Sequence, residues 1–300
     1  MRGKLPFVTA LAAVLCGLGA ARAALTTGLQ TSGQLGFELA GVASPGPPVN
    51  ASITLANIPP GAFIQQAFLY TNDFSPGGGQ IDVTFTPPVG PSVGASNLPP
   101  NSSDPVPIAQ TFGYKIGIPP TAIVGNGTYG VNIVASSSGG NANQMAGAGL
   151  LVIYSEPLLP QSTITVNDGV FLMGTGGNPN TQTTSFPQLT DPISPGPNST
   201  FSLLTFADDP VNTNEQIKFN GSVIGGPIDS NLPGGGSASI FNFTVTSVAG
   251  SGNSATLTST GDIFGWHVAV LQTPFAVIPE PAMLLLPGLG AGAAMLRRGG

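Results

Sequence analysis

The sequence predicts an all-β fold, an antiparallel β-sandwich or jelly roll, flanked by an N-terminal signal helix and a C-terminal hydrophobic helix. Three observations lead there. Short runs of β-branched and aromatic residues, many of them alternating, recur between turn signals. The 43 Gly and 30 Pro interrupt the chain too often for long helices, because proline removes a backbone donor and glycine costs entropy inside an element. Only 7% of residues are charged, far below the roughly 25% of an average soluble domain, so the polar surface must come from Ser, Thr, Asn and Gln. With 41% of 300 residues apolar, a substantial core can still form.

The first element is an address. Arg2 and Lys4 form a positive n-region, Leu5 to Gly19 an apolar stretch too short for an ordinary membrane span, and Ala21-Arg22-Ala23 a small-x-small site. Together they predict a signal peptide over residues 1–23, cut before Ala24. The only cysteine, Cys16, lies inside it. Leu15 stands where a lipoprotein signal needs a small residue, which excludes a lipidated cysteine. The exported chain would carry neither disulfide nor thiol.

The body, residues 24–271, reads as about a dozen strands. Ser52 to Ala56 and Phe63 to Tyr70 come first, and the alternating Ile81 to Thr86 follows after the Ser75-Pro76-Gly77-Gly78-Gly79 turn. Tyr129 to Ala135 follows an Asn126-Gly127 signal, and Gly149 to Tyr154 is continuously apolar, as in a strand covered on both faces. Ser162 to Val166 and Val170 to Met173 flank Asn167-Asp168-Gly169, the signature of a tight hairpin. Phe201 to Phe206, Gln216 to Phe219, Ile240 to Val248, Ala255 to Thr260 and Trp266 to Leu271 complete the set. With no amphipathic helix among them, these strands are expected to form two packed sheets in one domain. Two smaller modules divided within Gly174 to Pro197 are the alternative. No fixed-period repeat is visible.

A short linker is expected over 272–278. Pro279-Glu280-Pro281 then precede an apolar segment, Ala282 to Leu296, closed by Arg297 and Arg298. This order resembles the PEP-CTERM sorting signal of Gram-negative bacteria, and the resemblance covers residues 279–300. It implies recognition and processing by a membrane-bound exosortase during export, in bacteria that make exopolysaccharide. Physics supports a membrane segment independently, because Pro287, Gly288, Gly290 and Gly292 would spoil a helix in water yet are tolerated in a bilayer. The segment is shorter than the ~20 residues of an ordinary span, so anchoring should be weak or transient. Arg297 and Arg298 should stay cytoplasmic, which places the body outside.

Part of the body carries a second resemblance. Gly127-Thr128-Tyr129-Gly130-Val131, then Gly147 through Pro157, then Ile164-Thr165-Val166-Asn167-Asp168-Gly169, is similar to an uncharacterised β-rich domain of bacterial and archaeal surface proteins. Ile58-Pro59-Pro60-Gly61 to Tyr70 fits the same pattern. That domain usually has an aromatic where Ala148 stands and an Asp where Glu156 stands. The resemblance implies architecture and surface location, and no catalytic residues.

Charge and chemistry narrow the function. Between residues 24 and 278 two lysines, Lys115 and Lys218, face twelve acidic residues, and there is no arginine. A nucleic-acid partner needs clustered Lys or Arg and is excluded. The single histidine, His267, alternates with Trp266 and Val268 in a predicted strand and reads as a strand residue, not a base. Without Cys and with one His, a transition-metal site of N and S ligands is excluded. Glu38, Glu156 and Glu215 are scattered and form no recognisable glycosidase pair. Calcium is the one ion that suits the oxygen-rich cluster Asp208, Asp209, Asn212, Asn214 and Glu215, against which stands ordinary Asx turn chemistry. Six Asn-x-Ser/Thr sequons, at Asn50, Asn101, Asn126, Asn198, Asn220 and Asn242, are read as turn and surface chemistry.

The sequence therefore implies a non-enzymatic, exported protein of the cell surface or extracellular matrix, without a resident cofactor. Its expected partners are the exosortase and secretion machinery, the membrane and exopolysaccharide. A carbohydrate-binding module is the second reading and a secreted glycoside hydrolase the third.

Overall fold

The computed structural model describes residues 25–74, 79–105, 110–135, 145–174, 179–188, 198–206, 214–248, 252–261 and 263–275. The expected cleavage-site residues Ala21, Ala23 and Ala24, the sorting residues Pro279, Glu280, Pro281, Arg297 and Arg298, and both expected terminal helices lie outside them. The described residues are all-β apart from one 3-10 turn, and every strand pairing is antiparallel.

The first half contains β1 (Thr26–Ala43), β2 (Val49–Leu55), β3 (Phe63–Asp73), β4 (Ile81–Thr86), β5 (Val93–Leu98), β6 (Ser102–Pro105), β7 (Gln110–Ile118), β8 (Gly127–Ala135) and β9 (Gly147–Ser155). The second contains β10 (Gln161–Gly174), β11 (Thr181–Ser185), β12 (Ser199–Phe206), β13 (Gln216–Phe219), β14 (Ser222–Gly225), β15 (Ala238–Val245), β16 (Ser254–Thr258) and β17 (Ile263–Pro274). They form a nine-stranded sheet, β15-β12-β17-β10-β1-β9-β3-β7-β6, and two four-stranded sheets, β11-β16-β13-β14 and β2-β8-β4-β5.

This order is a duplication. With the short edge strand β6 set aside, each half has eight strands, and in both the sheet orders are 1-8-3-6 and 2-7-4-5. That is jelly-roll connectivity, so the chain folds as two jelly rolls in tandem. The division falls between β9 and β10, and β11, within the Gly174 to Pro197 stretch, belongs to the second roll. β1 stitches the rolls together: Thr26 to Gln34 pairs with β10, and Leu35 to Ala43 pairs with β9.

Three cores result. The outer sheet of each roll packs on its own inner sheet, around Phe85, Tyr129 and Ile133 in the first roll and around Phe201, Leu257 and Trp266 in the second. The third core holds Leu39, Leu151 and Ile153 of the first roll with Leu204, Phe206, Val268 and Val270 of the second. The two inner sheets thus lie face to face, and β9 is buried along almost its whole length, as its unbroken apolar run predicts. By contrast β4, with one covered face, alternates strictly between core and periphery.

The structure corrects several local expectations. Asn167-Asp168-Gly169 makes no hairpin, since β10 runs through it as one strand with a register shift between Asp168 and Phe171. The turn signal is local, and pairing with β1 and β17 on either side overrides it. The linker starts later than 272, because Gln272, Thr273 and Pro274 belong to β17. The long β1 has no counterpart among the predicted strands, because Gly28, Gly33, Gly36 and Gly41 interrupt its run of strand-forming residues. Two of these are packing requirements: a Cβ on Gly36 would stand 2.7 Å from the Tyr154 ring, and one on Gly41 2.9 Å from the Ala148 carbonyl.

Candidate functional site

Where the middle core ends, the facing sheets meet through polar side chains. Tyr70 on β3 lies opposite Lys115 on β7, so both side chains leave the same face. They meet Asp168, which projects from the bulge in β10. Lys115 Nζ lies 2.5 Å from Asp168 Oδ2, and the Tyr70 hydroxyl donates to the same oxygen at 3.1 Å. The Phe68 ring covers the ammonium, 4.4 Å from ring centroid to Nζ, a cation–π contact.

The surroundings hold this pair in place. Asn167, next to Asp168, donates through Nδ2 to Thr184 Oγ1 at 2.8 Å and to the Ser185 carbonyl at 2.9 Å, and accepts from Thr27 Oγ1 at 2.8 Å. The Lys115 backbone N–H donates to Asn101 Oδ1 at 2.5 Å. Gly28 passes so close that a Cβ there would lie 2.7 Å from Asp168 Oδ1. A second tie between the rolls runs nearby, where the Leu172 N–H donates to Asp104 Oδ2 at 2.9 Å.

Beside the ion pair is a cavity of about 150 Å³, lined among others by Thr26, Ser102, Tyr114 and His267. Burial and the Asp168 charge push the Tyr70 phenol well above its usual pKa, so it stays a donor. His267 is fully buried edge-on against Phe206, with ring centroids 4.8 Å apart, and burial lowers its pKa to about 3. Its Nε2 has no hydrogen-bond partner among the described residues. It is a packed strand residue, joined to neither a hydroxyl nor a carboxylate at that nitrogen.

The carboxylates considered from sequence each serve local structure. Glu38 is buried and accepts from the backbone N–H of Ala56 and Asn57 at 2.8 and 3.1 Å, clamping the chain after β2. Glu156 accepts from the Leu158 N–H at 2.9 Å within its own turn. Glu215 is buried and accepts from the Ser259 hydroxyl. Of the calcium candidates, Asp208, Asp209 and Asn212 lie outside the described residues, among which no cluster of three His, Cys, Asp or Glu could hold a metal. The ion pair was not singled out from sequence. Its signal was the rarity of Lys115 in a body nearly free of positive charge, while Asp168 was hidden in an apparent turn.

A second feature lies at the edge of the second roll. Phe241 and Phe243 on edge strand β15 are half-buried against the second core, with rings 6.2 Å apart and within 8° of parallel, and Phe243 stacks on Phe201. Gly225 on β14 abuts them, since a Cβ there would lie 2.6 Å from the Phe243 ring. Beside it a groove of about 570 Å³ is lined by Asn214, Gln216 and Val223.

The sequence matches no family model and no curated protein. Among solved structures it is similar to PBCV-1 VP54 fitted into a reconstruction of the virophage Sputnik, at 8% identity over 83% of this chain and 96% of that one, with a TM-score of 0.25. It is also similar to a structure of infectious bursal disease virus Gt strain, at 12% identity over 85% of this chain and 44% of that one, with a TM-score of 0.22. The jelly-roll assignment rests on strand order.

Proposed function

We propose that the chain is an exported protein of the cell surface or extracellular matrix, structural or interactive in kind, sorted by an exosortase. The observation that supports this is the order of its terminal segments: a signal peptide ending at Ala23, and Pro279-Glu280-Pro281 followed by an apolar stretch and Arg297-Arg298. The body between them suits that route. It has no cysteine, so its stability comes from three apolar cores and needs no oxidant. The membrane, the secretion machinery and exopolysaccharide are its partners in this reading. Among the described residues no helix is long and apolar enough to cross a membrane, and the segment assigned that role lies outside them.

Fractionation of native cells with intact-mass measurement tests the proposal. The chain should begin at Ala24, occur in envelope or extracellular fractions, and be processed near Pro279 to Pro281 or still anchored there. A cytosolic chain beginning at Met1 refutes it.

A second reading is a module that binds glycans of the matrix, for which the half-buried Phe241 and Phe243, packed on the second core, are the aromatic candidates. Saturable binding to a polysaccharide, weakened at least tenfold by Phe243→Ala with the fold retained, would establish it. Absence of binding across a glycan array would remove it.

A further inference from the structure

We propose that Lys115 and Asp168 condense to an intramolecular amide that joins the two jelly rolls covalently. The proposal does not depend on the cellular address argued above. Its first support is direct contact: Lys115 Nζ and Asp168 Oδ2 are 2.5 Å apart, so the nitrogen already lies against the carboxyl group that would acylate it. Its second is immobilisation. The Lys115 backbone is held by Asn101, and Asp168 follows an Asn167 whose amide is fully engaged. Two groups held in contact react as if at very high concentration.

The chemistry around the pair is complete. Transfer of one proton from the Lys115 ammonium to Asp168 along the contact gives an amine and a carboxylic acid. The amine nitrogen bonds to Asp168 Cγ, the Cγ–Oδ2 bond breaks, and Oδ2 leaves as water. The proton that the attacking nitrogen sheds passes to the Oδ2 hydroxyl beside it, and Tyr70, donating its hydrogen bond to that oxygen throughout, polarises the bond that breaks. Ammonium and carboxylate thus become amide and water, with no change in net charge and no oxidant or cofactor. Phe68 covers the nitrogen, and the side chains are only 24% and 15% exposed. The adjacent cavity has room for the departing water.

Intact mass of the full chain, purified folded and then denatured, decides the matter. The expected mass is about 18 Da below that of the observed termini, the loss of one water, with a branched peptide linking residues 115 and 168 in the digest. Lys115→Arg and Asp168→Ala should each restore the uncondensed mass, whereas Asp168→Asn should lose about 17 Da as ammonia. A folded wild-type chain at full mass, with Lys115 still open to an amine-specific label after denaturation, overturns the proposal. That wild-type measurement requires no variant to fold.

Discussion

Acidification should unfold this protein through its one histidine. Nε2 of His267 is buried without a partner among the described residues, and burial lowers the imidazole pKa from 6.5 to about 3. Once unfolded, the chain accepts a proton near pH 6.5, whereas the native state refuses it until about pH 3. The stability from the neutral, buried ring is therefore fully present above pH 6.5 and is lost progressively as pH falls towards 3. Each pH unit corresponds to about 1.4 kcal/mol, so the full loss is on the order of 4–5 kcal/mol, a large part of a typical 5–15 kcal/mol total. The perturbation is His267→Leu, which keeps the ring's approximate volume against Phe206 and removes the titration. Urea unfolding followed by fluorescence of Trp266, the sole tryptophan and fully buried, supplies the free energies. Carboxylates titrate alike in both proteins and cancel in the difference. The stability difference should be flat above pH 7 and should move in the variant's favour by about 1 kcal/mol per pH unit below 6.5. Parallel stability curves from pH 7 to 4 would refute the reasoning.

Other perturbations probe the remaining contacts. Gly149→Ala should destabilise by about 1–3 kcal/mol, because its Cβ would stand 2.5 Å from Leu204 Cδ2 across the middle core. Combined with Leu204→Ala, the loss should fall short of the sum of the single losses in thermal melts, and strict additivity would show that the sheets do not touch there. Glu38→Gln should cost about 1–3 kcal/mol in denaturant unfolding, since an amide NH₂ would face backbone donors now served by a carboxylate. Expressed separately, residues 25–160 and 161–275 should aggregate or lack fixed packing, and two soluble, well-dispersed NMR spectra would contradict the shared core.

Legibility from sequence followed burial. Strands with one covered face, such as β4, and strands with two, such as β9, left patterns that a single chain displays. β1 did not, because Gly36 and Gly41 are imposed by Tyr154 and Ala148 on β9, and contacts so distant leave no local trace. The duplication was invisible for a related reason. β3 and β12 begin at Phe63 and Ser199 while β9 and β17 begin at Gly147 and Ile263, so unequal loops destroy any fixed period. The Lys115 and Asp168 contact joins residues on different rolls, and only the face-to-face packing of the inner sheets brings them together.

That packing makes the rolls interdependent. An inner sheet of an isolated jelly roll would show one face to solvent, and its strands would alternate apolar with polar. Here Leu151, Ile153, Val268 and Val270 point away from their own roll's core and are nonetheless fully buried. Each such side chain contributes about 1.5–3 kcal/mol when covered, so exposing these four alone would cost about 6–12 kcal/mol, comparable to a domain's usual net stability. Apolar burial has no preferred direction, however, and lets two faces slide or rotate on each other. The polar contacts at the end of the middle core remove that freedom. Lys115 reaches Asp168 and Asp104 reaches the Leu172 N–H only in one register, and a shift by one residue would break both contacts. Hydrophobic area therefore holds the rolls together, and a few scarce polar contacts fix how they meet.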